Sequence, residues 1–342
     1  MKKIITLAAI AISTMFMTGC AEKHINIAGV RPAAVSEAMS YETLAVIPIK
    51  NDTYGLANKL EQLLLDKKYD GDKIFDLASR NEIYQIMKEQ SFNNSGAVKE
   101  GDKINLGEID GVDAIIFSTI NDASVKDSYF YKIRTRCADR ECKQLVKVRV
   151  NCTKRDYSTS ATFKMVDVET SKIIISKTYT EKTARRICED ESYSFENTAT
   201  VLGRLQERMA LRFVNLISPT EYYVEATIAE DEPNYDLTSD QEDKIEKANI
   251  AFENKFYDKA EKLYKEVIKE TKGKSYVATY NLGLVYEQKG KSNEALALYK
   301  RCIDLVDDLS EVPELQESIH RVEVNQKSQK IVDEQVKLKI QK

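Results

Sequence analysis

Histidine and tryptophan are nearly missing from the 342 residues: there are two His, His24 and His320, and no Trp. Chemistry built on several imidazoles, whether acid–base catalysis or a histidine metal site, has almost no raw material. Glycine and proline are scarce at 12 and 5, which excludes collagen-like and low-complexity classes. Beyond the first twenty positions no apolar run approaches the ~18 residues of a membrane helix. The remaining composition, 42% hydrophobic and 31% charged, is that of a soluble, ordered chain with enough length for two or three domains of roughly 100–200 residues each.

The N-terminus carries Lys2 and Lys3, then an apolar stretch from Ile4 to Met17, then Met17-Thr18-Gly19-Cys20. This is a secretory signal over residues 1–19, too short to span a bilayer as a helix. The last four residues resemble the bacterial lipobox. That resemblance implies that Cys20 becomes the first residue and carries diacylglycerol and an N-acyl chain such as palmitate, each buried CH₂ adding ~0.8 kcal/mol of membrane affinity. Ala21 stands where the enterobacterial inner-membrane retention signal has Asp, so the expected location is the periplasmic face of the outer membrane. The formal net charge is −4 and falls by two more when Lys2 and Lys3 leave with the signal. A nucleic-acid partner is disfavoured by charge and compartment alike.

Residues 20–42 have no clear period and read as a lipidated tether. From Thr43 the pattern becomes β-α-β-α-α-β: Leu44-Ala45-Val46-Ile47-Pro48 is a strand, and Leu56, Leu60, Leu63 and Leu64 a helix face. Ile74-Phe75-Asp76-Leu77 is a strand, Ser79 and Glu82 cap a helix carrying Ile83, Ile86 and Met87, Leu106 and Ile109 mark a short helix, and Ala114-Ile115-Ile116-Phe117 is a third strand. Between Tyr129 and Thr180 long strands alternate, Tyr129, Tyr131 and Ile133 on one face and Val146, Val148 and Val150 on another, as in antiparallel hairpins. An amphipathic helix over 195–217 follows, closed by Ser218-Pro219.

The strand Leu44 to Pro48, Ser79-Arg80 before a helix ending in Lys88-Glu89-Gln90, Leu106-Gly107, Val112 to Ile116, and Phe163 to Thr170 followed by Ile173-Ile174-Ile175 resemble the CsgG-like lipoproteins. That family implies a periplasmic α/β domain similar to the TolB N-terminal and penicillin-binding-protein activator folds, here over 43–228. Residues 229–240, opening with Ala229-Glu230-Asp231-Glu232-Pro233, are acidic and read as a linker. Beyond it Ala248, Lys255, Ala260, Tyr264 and Val267 recur 35 positions later as Gly283, Gly290, Ala295, Tyr299 and Cys302, which resembles the tetratricopeptide repeat with its period of ~34 residues. Residues 241–310 are thus expected to be two repeats and 311–342 a C-terminal capping helix. The whole reads as α+β, an α/β domain with hairpins followed by an all-α repeat domain.

Four of the remaining cysteines, Cys137, Cys142, Cys152 and Cys188, cluster among the strands, and Cys302 sits in a repeat. In an exported chain they favour two disulfides, with three possible connectivities. A two-residue turn at Thr170-Ser171 places Cys152 and Cys188 within one residue of register, leaving Cys137 and Cys142 to each other across a short loop. A zinc site is disfavoured because no His lies near and no paired C-x₂₋₄-C spacing exists. Gly273-Lys274-Ser275 and Gly290-Lys291-Ser292 carry only the tail of a phosphate-loop motif. No cofactor, metal or enzyme signature is found. The basic run from Lys132 to Arg149 reads as a solvated hairpin face because Asp139 and Glu141 interrupt it, with a footprint for anionic headgroups or peptidoglycan as the alternative.

The expected function is therefore non-enzymatic binding and assembly in the cell envelope. Its partners are envelope proteins held in a repeat groove lined by Asn249, Glu253, Tyr280, Leu284, Glu287 and Gln288, the membrane through the lipid, and a second copy in a homo-oligomer. A subunit of a secretion channel and an activator of a cell-wall synthase are the alternatives the family resemblance implies. Residues 183–195 are too short and too charged for the second membrane hairpin such a channel needs.

Overall fold

The computed structural model describes residues 23–49, 52–80, 83 and 111–340. The signal, Cys20, the helix expected after Ser79 beyond Ile83, and the segment with Leu106 and Ile109 lie outside the described residues. The chain is of mixed α+β class, and its described residues divide into two compact units, one drawn from 30–222 with 327–340, the other 23–29 with 223–326.

In the first unit, a sheet of five described strands has the order β5-β2-β6-β7-β8. β2 (Thr43–Val46) lies parallel between β5 (Asp76–Leu77) and β6 (Ala114–Cys137). β7 (Leu145–Asp167) and β8 (Ile173–Cys188) continue antiparallel. A small hairpin of β3 (Lys68–Tyr69) and β4 (Asp72–Lys73) precedes β5. Strand alternation sends Leu44, Val46, Phe163 and Met165 to one face, where α1 (Leu56–Leu65) and α2 (Thr198–Ile217) cover them with Leu56, Leu60, Met209 and Phe213. Ala45, Ile47, Ile115 and Val166 go to the other face. Asp52 starts α1 by accepting the amide hydrogens of Leu56 and Ala57 at 2.8 and 2.9 Å, and Asn197 starts α2 through Ala199 at 2.8 Å.

The short third strand and the following hairpin expected as separate pieces are one strand of 24 residues. Nothing between Ala114 and Cys137 stops it: no Gly or Pro intervenes, and Asn121-Asp122 is absorbed as a bulge between Ile120 and Asp122.

The second unit is built of α3 (Ser239–Glu253), α4 (Tyr257–Glu270), α5 (Tyr276–Gln288) and α6 (Ser292–Ile303). Thr238 and Gln241 form a capping box at α3. The repeat-related Ala248, Ala260, Tyr264, Val267, Ala295, Tyr299 and Cys302 are all buried in one core. Gly283 is required by close packing: a Cβ there would lie 2.4 Å from Cε1 of Tyr299.

Three boundaries differ from expectation. The stretch taken for a tether contains β1 (His24–Arg31), paired with β9 (Thr220–Thr227), and a 3-10 turn over Ser36–Ser40. Its alternation was hidden because only Ile27 and Val30 of β1 are buried. The acidic stretch is no free linker, since Ala229 is 6% exposed and belongs to the repeat core. The C-terminal helix α7 (Pro313–Ile340) caps the repeats only with its first half. In its second half Val332 is fully buried and Val336 packs on the α/β core, and Gln335 reads the backbone of Ala33, accepting from its N–H at 3.0 Å and donating to its C=O at 2.8 Å.

Candidate functional site

The first helix of each repeat, α3 and α5, was expected to present an open groove. In the structure those side chains hold the chain's own extended segments. Asn281 on α5 accepts the amide hydrogen of Ala229 at 3.0 Å and donates to its carbonyl at 2.9 Å, so one carboxamide satisfies both backbone groups of one residue, as a residue of a neighbouring strand would. The same Nδ2 also donates to Asn249 Oδ1 at 3.2 Å, which accepts the Tyr264 hydroxyl at 2.6 Å. Tyr280 donates to the Thr227 carbonyl at 3.2 Å and meets the Ser318 hydroxyl of α7 at 2.9 Å. Gln288 donates to the Asn26 carbonyl of β1.

Glu232 extends the seating of this strap. Its carboxylate accepts from the Ser275 hydroxyl and from the amides of Tyr276 at 2.8 Å and Val277 at 3.3 Å, closing the N-terminus of α5. Burial pushes its carboxyl up, and these hydrogen bonds oppose that shift. Burial likewise raises the hydroxyls of Tyr264, Tyr280 and Tyr299. These tyrosines stay protonated donors at any physiological pH.

Of the six residues assigned to a partner groove, Asn249, Tyr280 and Leu284 are buried, at 3%, 0% and 0% exposure. The Glu287 side chain is 5% exposed and paired with Arg321 of α7, and Gln288 is engaged with β1. Glu253 is exposed, on the rim of an open cleft of about 610 Å³ that His24, Phe252, Tyr257 and Gln288 also line. The groove therefore exists as a place where an extended chain is gripped by main-chain hydrogen bonds, and its occupant is residues 226–232 together with β1. The expectation of an empty groove failed because the covering segments lie far from α5 in sequence. One signal was available: Asn281 interrupts an otherwise apolar helix face, and a buried carboxamide requires polar partners.

The cysteines are paired as Cys137 with Cys142 and Cys152 with Cys188, with Cα atoms 4.7 and 3.9 Å apart. Cys152 and Cys188 are direct partners in the β7–β8 ladder. Cys302 is buried and free, and burial raises its thiol. Cys188, Asp190 and Glu191 come within 4.8 Å of one another, but the sulfur is committed to its disulfide and the carboxylates to Arg134 and Arg136. No described helix is long and apolar enough to cross a membrane. His24 lies beside Thr227 at 3.3 Å, and no described residue joins either histidine in a metal cluster.

The tetratricopeptide repeat family model matches residues 278–313, which takes in α6 and all but the first two residues of α5 and ends at the first residue of α7. No curated protein matches the chain. Among solved structures, the lipoprotein GNA1162 from Neisseria meningitidis is 16% identical with a TM-score of 0.25, over 51% of this chain and 99% of that one. The PelC dodecamer from Paraburkholderia phytofirmans is 10% identical with a TM-score of 0.24, over 55% of this chain and 96% of that one.

Proposed function

We propose that this chain is a non-enzymatic assembly lipoprotein of the bacterial envelope, related to the CsgG-like lipoproteins, acylated at Cys20 and facing the periplasm from the outer membrane. Its repeats secure the membrane-attached end of the chain. The observation that carries this reading is the grip of Gln288, Asn281 and Tyr280 on the backbone of Asn26, Ala229 and Thr227. Lys23 donates to this seating too, through Glu230, and its carbonyl accepts from Ile228 at 2.8 Å. The chain is thus fastened from the third residue after the acylated cysteine, so a lipid there anchors a folded unit rather than a loose leash. Partners of the envelope would then meet surfaces other than the occupied groove, the rim at Glu253 among them.

Labelling cells with a fatty-acid analogue tests the anchor. The wild type should carry label in the outer-membrane fraction, and a Cys20→Ser chain should lose both label and membrane retention. Label that persists on the serine variant would sink the reading. Crosslinking in intact cells followed by mass spectrometry should return envelope proteins joined at sites outside the groove.

A further inference from the structure

β6 and β7 run on past the helices that cover the sheet. In the body of the first unit, Tyr157 of β7 is buried under Val201, Leu202 and Leu205 of α2. The ladder keeps that same face without a further register shift from Tyr157 to the hairpin end: Tyr129 lies opposite Thr153, Tyr131 opposite Asn151, Ile133 opposite Arg149 and Cys137 opposite Leu145. Along this stretch the face is open, with Tyr129 81%, Ile133 58% and Leu145 67% exposed. A sheet face that is core in the body thus continues as an uncovered apolar row on the arm.

The cations on the arm are not matched by its acids. Asp139 accepts the amide hydrogens of Lys143 and Gln144 at 2.9 and 3.2 Å and so shapes the turn, and Glu141 pairs with Lys143. Asp190 takes Arg134 and Arg136, and Glu191 takes Arg134. Among the described residues Lys132, Arg140, Lys147 and Arg149 pair with no carboxylate, and the Arg149 guanidinium rests 3.5 Å from the centroid of the Tyr131 ring. The acids that made the run look like an ordinary solvated face are each used within the fold. Of the unmatched cations, Lys147 and Arg149 stand on the tyrosine-bearing face, Lys132 on the opposite face and Arg140 in the turn, so the apolar face keeps a net positive charge in a chain whose formal net charge is −4.

We propose that this uncovered face of the β6–β7 arm docks on an anionic phospholipid surface. Tyr129, Tyr131, Ile133 and Leu145 enter the headgroup layer, and Lys147 and Arg149 stay with the phosphates. Tyrosine beside aliphatic side chains, with long cationic stems that reach back to water, is the mixture that suits a membrane interface. From Tyr129 to Cys137 the strand is roughly 27 Å long, enough to meet several headgroups at once. The envelope location proposed above supplies the setting, but the docking itself uses no acyl chain.

The chain holds no Trp, so a Tyr129→Trp variant reports from this face alone. The mature chain is made without its signal and with Cys20→Ser, and is mixed with vesicles of phosphatidylglycerol and phosphatidylethanolamine or of phosphatidylcholine alone. The emission should shift to the blue with the anionic vesicles and not with the zwitterionic ones, and added salt should reverse it. Replacing Lys147 and Arg149 together by Gln should weaken binding more than tenfold, at roughly fivefold for each cation, with the melting curve unchanged. No shift with anionic vesicles, or an equal shift with phosphatidylcholine, overturns the proposal. So does a shift that grows with protein concentration in the absence of vesicles, which assigns the face to a second copy. Because no variant here is acylated, failure of vesicle binding leaves the anchor at Cys20 to its own labelling experiment.

Discussion

Arg321 of α7 and Glu287 of α5 form a two-pronged ion pair inside the repeat unit, with Nε donating to Oε1 at 3.1 Å and Nη2 to Oε2 at 2.6 Å. Their side chains are 10% and 5% exposed. Burial alone would lower the Arg321 pKa, and the carboxylate of Glu287 outweighs it, so the guanidinium is held above its ordinary value. Tyr299 of α6 donates to the same carboxylate at 2.6 Å, so three helices share one charge pair. Removing one partner strands the other charge in the interior. Arg321→Met should cost about 3–5 kcal/mol in urea unfolding, while Arg321→Met combined with Glu287→Leu should recover much of that loss. Additive losses in the double variant would show that the pair is not coupled.

The occupied groove reverses a natural expectation for a repeat protein, that a ligand-facing tyrosine can be trimmed without harm. Tyr280 is fully buried, stacked 5.7 Å from Tyr276 and bonded to Ser318. Tyr280→Ala should lower stability by about 3–5 kcal/mol. Asn281→Leu should act differently, leaving the N–H and C=O of Ala229 without their partner and freeing the strap at a cost of about 1–3 kcal/mol. Limited proteolysis should then cut near residues 226–233 before the helices unfold. Strap cleavage equal to wild type would count against the grip.

Much of the fold was legible in the sequence because its signals are local. Two-residue alternation separated Tyr129, Tyr131 and Ile133 from Val146, Val148 and Val150, and the ladder puts these sets on opposite faces. The 35-residue recurrence located the helix pairs, since close approach requires Gly283 beneath Tyr299 and Ala260 in a fully buried position. The site was not legible in the same way. Which chain fills the groove depends on Asn26 and Ala229 reaching α5 from 262 and 52 residues away, and no periodicity encodes that. The second half of α7 misled for the same reason, because Gln335 finds Ala33 across 302 residues.

The β7–β8 ladder dictates the long-range disulfide. Direct partnership of Cys152 and Cys188 brings their Cα atoms to 3.9 Å, and the bond closes a segment with a separation of 36 residues. On loop-closure entropy its loss, by Cys152→Ala with Cys188→Ala, should cost about 4 kcal/mol, and that of the Cys137–Cys142 bond about 2 kcal/mol. Peptide mapping without reductant should return only these two pairings, and a Cys137 to Cys188 peptide would refute the register.

Acid should loosen the repeat unit through Glu261. Hydrogen bonds from Lys265, and then from Lys289 at 2.7 Å, hold its carboxyl down at about 2. A carboxylate whose pKa is depressed on folding contributes stability above its unfolded value near 4.5, and that contribution is lost as pH falls toward 2. Glu261→Gln should lower stability at pH 7 and flatten its fall between those values. A variant whose stability falls with pH as steeply as the wild type would assign the acid sensitivity elsewhere.

The two repeats offer an internal control on backbone conformation. Lys255 and Gly290, related by the 35-residue offset, end the first helix of each pair, and both are left-handed, with φ of 63° and 71°. The turn demands this geometry, since Phe256 and Lys291, one position on, donate back to the carbonyls of Ala251 and Tyr286 at 2.8 Å in each case. Glycine meets that demand at no steric cost, whereas lysine carries a Cβ against its own carbonyl, worth roughly 1–2 kcal/mol. Nothing lies within 4 Å of a Cβ built on Gly290, so the backbone is the whole of the cost there. Lys255→Gly should therefore raise the free energy of unfolding by about 1 kcal/mol, less the entropy gained by the unfolded chain, and Gly290→Ala should lower it by about the same amount. Opposite signs at equivalent positions are the test: if both substitutions destabilise, the turn at Lys255 draws its stability from the side chain and not from the backbone.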